Sequence, residues 1–334
     1  THVLSSKMVL WKRVYPLFLT LGSATAFKST TATSPFTTRG DPGALSKVLF
    51  MSSTASTFTE AVSIAASEAL GRKVELVATS GGGYSGGGGA STSALLDKES
   101  NTKYFLKSAR NGLNMLRAEY EGVKAMSDTH TIQVPTPIAF GQFEKTGQGF
   151  ALFEYLEFCG GGSQYELGVQ LAKMHRFTSE KGFGFHIDNT IGATPQPNSW
   201  KSNWPDFWDE HRLGHMLRLT GDAGLSKDKV EKLRQKTREL LSHNPLPSII
   251  HGDLWGGNKG FCKKNGKVIP VIFDPATYYG DREADVAMTY LFGGFSSDFY
   301  DGYNAEWPLP EGHEKRRTVY NLYHILNHEV LFGG

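Results

Sequence analysis

In the stretch Ile249-Ile250-His251-Gly252-Asp253-Leu254-Trp255-Gly256-Gly257-Asn258, a carboxylate and an amide stand five residues apart in one glycine-rich loop. Downstream, Val271-Ile272-Phe273-Asp274-Pro275 closes an apolar run on a second carboxylate. Oxygen donors of this kind suit a hard divalent cation such as Mg2+. They also suit phosphoryl transfer to an alcohol, which needs a carboxylate at the attacking hydroxyl and oxygen ligands for the metal. In that chemistry Asp253 accepts or orients the hydroxyl proton, while Asn258 and Asp274 hold Mg2+. The interval from Asp253 to Asn258 is that of kinase catalytic loops, and Asp274 stands where the metal-binding aspartate of the DFG motif stands. Pro275 replaces the Phe-Gly of that motif, so no flip of the protein-kinase kind is expected. His251 is expected to pin the loop through hydrogen bonds.

A phosphotransferase also needs a cation on the nucleotide. Lys107 lies in the apolar strand-like run Tyr104-Phe105-Leu106-Lys107. A lysine there either snorkels from an edge strand or holds ATP phosphates, and in the second case a carboxylate on the next helix must fix it. The helical segment NMLRAEYEGVKAM offers Glu119 and Glu121. Glu119 neighbours Leu116 and Val123 on the apolar face and is the expected partner, whereas Glu121 reads as a solvated charge.

The run SGGGYSGGGG, Ser80 to Gly89, has the composition of a flexible linker. However, strand-like sequence stands on both sides of it, and a domain linker would not sit inside a β-meander. Its GxGxxG match lacks the helix and the following acid of a dinucleotide fold, and it lacks the Lys-Ser/Thr of a Walker A loop. Strand, glycine loop, strand is the kinase flap, in which Gly81, Gly82 and Gly83 let backbone N–H groups approach ATP phosphates. The extra glycines raise the loop's entropy, so poor order without nucleotide is expected.

These groups require elements to position them. Thr57-Phe58-Thr59-Glu60 is a capping box opening a helix that Gly71 closes. KVELVATS, STSALLDKES and TKYFLKSA read as strands of a meander, and GFALFEYLEF as a further buried strand. The backbone of Glu154, Tyr155 and Leu156 at the end of that strand is placed to bond adenine, ahead of the hinge-like CGGGS. Ser163 to Glu166 is a second capping box, its helix presenting Leu167, Leu171 and Met174 and ending on His175, read as a helix-terminal charge. PDFWDEHRLGHMLRL and KDKVEKLRQKTRELL are expected to be two more helices. The reading is an α+β, two-lobed, protein-kinase-like fold: a small antiparallel β-sheet lobe binding ATP over residues 57–158, and a mostly helical lobe over 159–334.

Residues 1–56 are read as an unstructured targeting leader. From Met8 it has a basic Lys12-Arg13, the short apolar stretch Val14–Leu21, a small-residue cut at Ala24-Thr25-Ala26, then a Ser/Thr-rich tract without acid before Asp41. This composition fits a bipartite plastid leader, with a plain secretory signal as the alternative. No run of eighteen apolar residues is present, so no membrane span is expected in the mature form. A net charge of +2 over 334 residues gives no reason to expect nucleic acid. The two cysteines, Cys159 and Cys262, form neither a disulfide framework nor a zinc motif.

Longer segments carry a resemblance. HIDNTIGATPQPNSW, WPDFWDEHRLG, HGDLWGGN, DPATYYGDREADVAMTYLFGGF and LYHILNHEVLFGG resemble the fructosamine-3-kinase (ketosamine-3-kinase) family, itself related to aminoglycoside phosphotransferases, over about residues 57–334. The resemblance implies ATP- and Mg2+-dependent phosphorylation of the C3 hydroxyl of ribulosamines, erythrulosamines or fructosamines on proteins. The product is unstable and frees the amine, a deglycation repair. It implies Lys107 and Glu119 as the phosphate-anchoring ion pair, Asp253 as base, and Asn258 and Asp274 as metal ligands. Trp255 either stacks on the sugar or packs, and Asp281, Arg282 and Asp285 brace the catalytic loop through ion pairs. Tyr84 occupies the place of a Cys common in family members, so a redox-controlled loop disulfide is not expected. Glycated proteins or ketosamine small molecules are the expected partners, with the chain a monomer or a homodimer. The competing readings are another small-molecule kinase, of the choline or aminoglycoside type, and a non-catalytic binding module. The first would want an acidic wall near Asp253, which the sequence lacks, and the second a lost base or metal residue.

Overall fold

The computed structural model describes residues 55–79 and 89–333, and the backbone of 49–51 and 84–85. Residues 1–48 of the stretch read as a leader, and the loop glycines Gly81, Gly82 and Gly83, lie outside the described residues. Leu49–Gly334 form one compact unit. Its first strand, β1 (Leu49–Met51), lies inside the stretch read as leader and pairs parallel with Gly141–Phe143.

Helix α1 (Phe58–Leu70) starts where the Thr57 hydroxyl accepts the Glu60 N–H at 3.2 Å, and ends at Gly71 with φ +63°. The reciprocal half of the cap is displaced by one residue: Glu60 accepts from the N–H and hydroxyl of Ser56, both at 2.6 Å. The meander follows as β2 (Leu76–Ala78), β3 (Tyr84–Ser85), β4 (Ser91–Asp97) and β5 (Lys103–Arg110), then α2 (Leu113–Ser127), β6 (Pro137–Phe143) and β7 (Gln148–Glu154). The strand order is β1-β6-β7-β5-β4-β2, with β3 also on β4, and every pair but β1–β6 is antiparallel. Ala61, Val62, Ala65 and Ala66 of α1 close one face of the sheet against Leu76, Leu95, Leu106, Phe150 and Leu152. Burying apolar area at roughly 25 cal/mol per Å2 is what holds this half together. β5 is a central strand, with Lys107 opposite Thr92 on one side and Ala151 on the other, so Lys107 is not an edge residue.

The second half is mostly helical. Ser163 caps α3 (Gln164–His175), its hydroxyl accepting the Glu166 N–H at 3.1 Å. A small hairpin, β8 (Asn189–Ile191) and β9 (Thr194–Gln196), precedes α4 (Trp204–Trp208). The expected single helix over 205–219 is instead α4, a π-helical turn at Asp209–Leu213, and α5 (Gly214–Leu219). The wider turn carries Arg212 into the interior, where it is fully buried. There follow α6 (Lys227–Leu240), the short strands β10 (Ser248–Ile250), β11 (Lys259–Lys264), β12 (Lys267–Ile272) and β13 (Tyr278–Gly280), then α7 (Glu283–Thr289), α8 (Ser297–Glu306) and α9 (His313–Phe332). Among the described residues no helix is long and apolar enough to cross a membrane.

Candidate active site

The Lys107 ammonium lies 2.6 Å from Glu119 Oε1 on α2 and 2.6 Å from Asp274 Oδ1 after β12. Strand, helix and distant loop therefore meet at one charge. Burial opposes that charge, but Glu119 and then Asp274 outweigh it and hold the ammonium above its ordinary range. Breaking such a pair from one side costs about 3–5 kcal/mol, because the other charge stays buried. Glu121, expected to be solvated, is only 7% exposed. It faces Arg117 (4.0 Å) and His186 (3.8 Å), because α2 is covered on that side by the segment before β8.

Asp274 has φ +57°, the left-handed region that a non-glycine residue enters at a cost of about 1–3 kcal/mol. The turn swings its carboxylate back from the end of β12 towards Lys107. Asn258 ties this turn to the catalytic loop: its Nδ2 donates to Asp253 O (2.9 Å), Asp253 Oδ2 (3.2 Å) and Asp274 O (3.3 Å). With the nitrogen so occupied, the amide oxygen is the atom left for a cation. The Asp274 carboxylate and the Asn258 amide oxygen fit Mg2+, which prefers hard oxygen ligands and keeps several waters. Burial, with Asp274 beside it, pushes the Asp253 carboxyl up to about 8 against the opposing Asn258 amide.

The loop itself is fixed from beneath. Asp285 on α7 accepts the His251 N–H at 2.7 Å and the Gly252 N–H at 2.8 Å. Gly252 has φ +81°, and a Cβ there would stand 2.2 Å from Ala276 O, so only glycine fits. His251 Nε2 donates to Phe273 O (2.9 Å), while its Nδ1 accepts the Asp253 N–H (3.2 Å). Buried and holding both bonds, His251 is kept neutral, its pKa lowered by desolvation. The expected bracing by Asp285 is thus made through backbone N–H groups and not through an ion pair with the loop. Burial opposes the Asp285 charge, but bonds led by that from His175 keep its carboxyl below the usual range.

His175 departs from the sequence reading. It is fully buried, Nε2 donating to Asp285 (3.1 Å) and Nδ1 accepting from the Tyr303 hydroxyl (2.7 Å). Desolvation lowers its pKa, so it is a neutral part of the loop's support and not a helix-end charge. Asp281 bonds His243 (2.9 Å) and the Tyr320 hydroxyl. Arg282 stacks 3.9 Å over Trp307 and donates to Trp307 O (3.0 Å) and Pro308 O (2.6 Å). Neither touches the catalytic loop: both fasten α7 to the elements behind it.

At the expected adenine edge, the Glu154 N–H donates to Thr136 O at 2.8 Å, and its carboxylate accepts from the Thr136 hydroxyl at 2.6 Å. Glu154 therefore offers no free N–H to a base, so of the three residues expected at this edge only Tyr155 and Leu156 could serve as the donor. Trp255 is 41% exposed, its ring edge-on to Phe292 with centroids 6.3 Å apart, so it is not a packed core residue. The sequence reading assigned no role to a buried polar group behind Asp274, namely Asn189, Gln196, Asn198, Arg212 and Tyr323. The PQPN motif that carries Gln196 and Asn198 was the available signal.

A mostly antiparallel sheet above a helical half, with the lysine of a central strand reaching a helix carboxylate and a metal-type loop, is the architecture of the protein-kinase-like phosphotransferases. The chain is an enzyme of that class. Residues 60–334 match the fructosamine kinase family, and the chain belongs to it. It is 46% identical over 244 residues to a probable ketoamine kinase of Synechocystis, covering 72% of this chain and 80% of the relative. It is 43% identical over 250 residues to the chloroplastic protein-ribulosamine 3-kinase of rice, covering 72% of this chain and 71% of that protein. A crystal structure from Thermobifida fusca named for a fructosamine-3-kinase superposes with a TM-score of 0.68 at 29% identity, over 81% of this chain and 93% of that one.

Proposed function

We propose that the protein is an ATP-dependent ketosamine 3-kinase acting on ribulosamines or fructosamines borne by proteins, and that it works in a plastid. One observation carries the activity: Asp253, Asn258 and Asp274 form a single hydrogen-bonded cluster that Lys107 joins through Asp274. In this reading Asp253 orients the sugar C3 hydroxyl and receives its proton as the terminal phosphoryl group of ATP passes to that oxygen. Lys107, held by Glu119, anchors the nucleotide phosphates. Asn258 and Asp274 hold Mg2+, which when bound neutralises phosphate charge. Gly81, Gly82 and Gly83 cover the phosphates, Tyr155 and Leu156 meet adenine, and the exposed Trp255 ring is offered to the sugar. The 3-phosphate product breaks down and releases the amine, which makes the reaction a repair of glycated protein. The ribulosamine reading is supported by the rice relative's name and the plastid reading by the word chloroplastic in it, together with the leader composition of residues 1–56.

The test is mass spectrometry of a ribulosamine-lysine peptide and a fructosamine-lysine peptide incubated with enzyme, ATP and Mg2+. A gain of one phosphoryl group, followed by loss of the sugar and recovery of free lysine, is expected. Transfer to aminoglycosides or choline but to neither peptide would overturn the substrate assignment, and nucleotide binding without any transfer would overturn the mechanism. Residues 1–56 fused to a fluorescent protein should direct it to plastids; secretion would sink that part.

A further inference from the structure

The turn carrying Asp274 is held from behind by a chain of side chains that never reach the cleft. Asn189 Nδ2 donates to Thr277 O at 2.8 Å, and Gln196 Nε2 donates to Ala276 O at 3.1 Å. Asn189 Oδ1 in turn accepts from Gln196 Nε2 (2.7 Å) and Asn198 Nδ2 (2.9 Å). Asn198 Oδ1 accepts from Arg212 Nη2 at 2.7 Å, and Gln196 Oε1 accepts from the Tyr323 hydroxyl at 2.7 Å. Gln196, Asn198 and Arg212 are fully buried, so none of them can touch a substrate.

The direction of this chain is fixed by chemistry. An amide can point either way, but a guanidinium only donates and stays charged in a protein. Arg212 is anchored by donating to Pro197 O (2.7 Å) and by stacking 3.9 Å over the Tyr278 ring. Because Arg212 donates, Asn198 must present its oxygen to it and its nitrogen to Asn189. Asn189 must then present its oxygen to Asn198 and its nitrogen to Thr277. The relay therefore always ends with a donor on the carbonyls of the two residues that begin two positions after Asp274. Those bonds oppose relaxation of the Asp274 backbone out of its left-handed conformation.

We infer that Arg212, Asn198, Asn189 and Gln196 are positioning residues that hold Asp274 in its metal-binding geometry. This rests on the reading of Asp274 as a Mg2+ ligand, and the test separates the two. Mn2+ affinity in the presence of ADP is measured by electron paramagnetic resonance, and ADP affinity without metal by calorimetry, for the parent and for Asn189→Leu, Arg212→Lys and Asp274→Asn. Loss of an outer support typically weakens metal binding about 10- to 100-fold. That loss is expected for Asn189→Leu, with metal-free ADP affinity unchanged and a smaller loss for Arg212→Lys, which keeps a cationic donor. Parent-like Mn2+ binding in a folded Asn189→Leu protein, or an equal fall in both affinities, overturns the inference. Circular dichroism checks the fold, and if Asn189→Leu does not fold, Gln196→Met carries the same criterion. Parent-like Mn2+ binding by Asp274→Asn would instead remove the metal-ligand reading beneath it.

Discussion

Gly122 of α2 lies directly on Thr277: a Cβ built at Gly122 would stand 3.1 Å from both Cβ and Oγ1 of Thr277. Glu119 is one turn away on the same helix, and Thr277 follows Asp274 by three residues. The two carboxylates that grip Lys107 are therefore supported at one point of contact between the sheet half and the helical half. Gly122→Val is expected to lift α2 and loosen Lys107. A displacement of about 1 Å at such a site costs about 10²-fold in rate. Steady-state kinetics should show that fall in kcat/KM, with Gly122→Ala much milder, because the contact then needs a shift of only a few tenths of an ångström. Equal activity of Gly122→Val and the parent would show that the contact does not set the ion pair.

Asp253→Asn keeps the shape of the side chain and removes its capacity to take a proton. Loss of a general base costs about 10²- to 10⁴-fold, so kcat should fall by that much. Nucleotide affinity, assigned to Lys107 and its partners in the proposed mechanism, should stay near the parent value in a direct titration. Full turnover by Asp253→Asn would place the chemistry elsewhere.

Asp285→Asn replaces one of two acceptors of backbone N–H groups with a donor. Leaving one buried donor without its acceptor costs about 1–3 kcal/mol, to be read as a lower denaturant midpoint. The same change leaves either the His251 or the Gly252 N–H unheld, so kcat should fall even at temperatures where the variant is fully folded. A stability loss with unaltered kcat would mean that the loop holds its shape without Asp285.

Buried histidines make stability sensitive to acid. Burial lowers the pKa of His175, His251 and His324, the last to about 4 from 6.5. The folded state thus prefers the neutral rings, and protons bind the unfolded chain more readily. Stability from these groups is complete above pH 6.5 and is lost as pH falls below it, for His324 as pH passes about 4. At about 1.4 kcal/mol for each pKa unit, His324 alone accounts for about 3 kcal/mol of that loss. Urea midpoints measured across this range should decline less steeply for His324→Leu than for the parent; parallel declines would show that His324 does not stay neutral.

Sequence order and spacing point to residues that the fold gathers: Lys107, Glu119, Asp253, Asn258 and Asp274 lie in chain segments up to 167 residues apart and meet in one cluster. They were legible because each sits in a local pattern — an apolar strand, an amphipathic helix, a glycine loop, a strand end. What escaped depended on remote cover. Helical periodicity assigns Glu121 to solvent, and a histidine closing a helix reads as an end charge even though His175 lies four residues after Leu171 on the apolar face. Neither position reveals that His186 lies over the first, or that Asp285 and Tyr303, 110 and 128 residues on, enclose the second. The π-helical turn at Asp209–Leu213 adds a residue to a pattern that otherwise reads as continuous helix. The relay from Arg212 was visible only as the unexplained polar motif PQPN, because amide side chains carry no periodicity.

The pair of hydrogen bonds that Asp285 accepts from the backbone of His251 and Gly252 has a consequence for biogenesis. Every chemical group of the cleft except Asp274 has been synthesised once Asn258 leaves the ribosome, yet the loop has nothing to rest on until α7 emerges about a tenth of the chain later. A nascent or truncated chain ending before Asp285 would possess its reactive side chains without the support of their loop, so the site awaits the synthesis of α7.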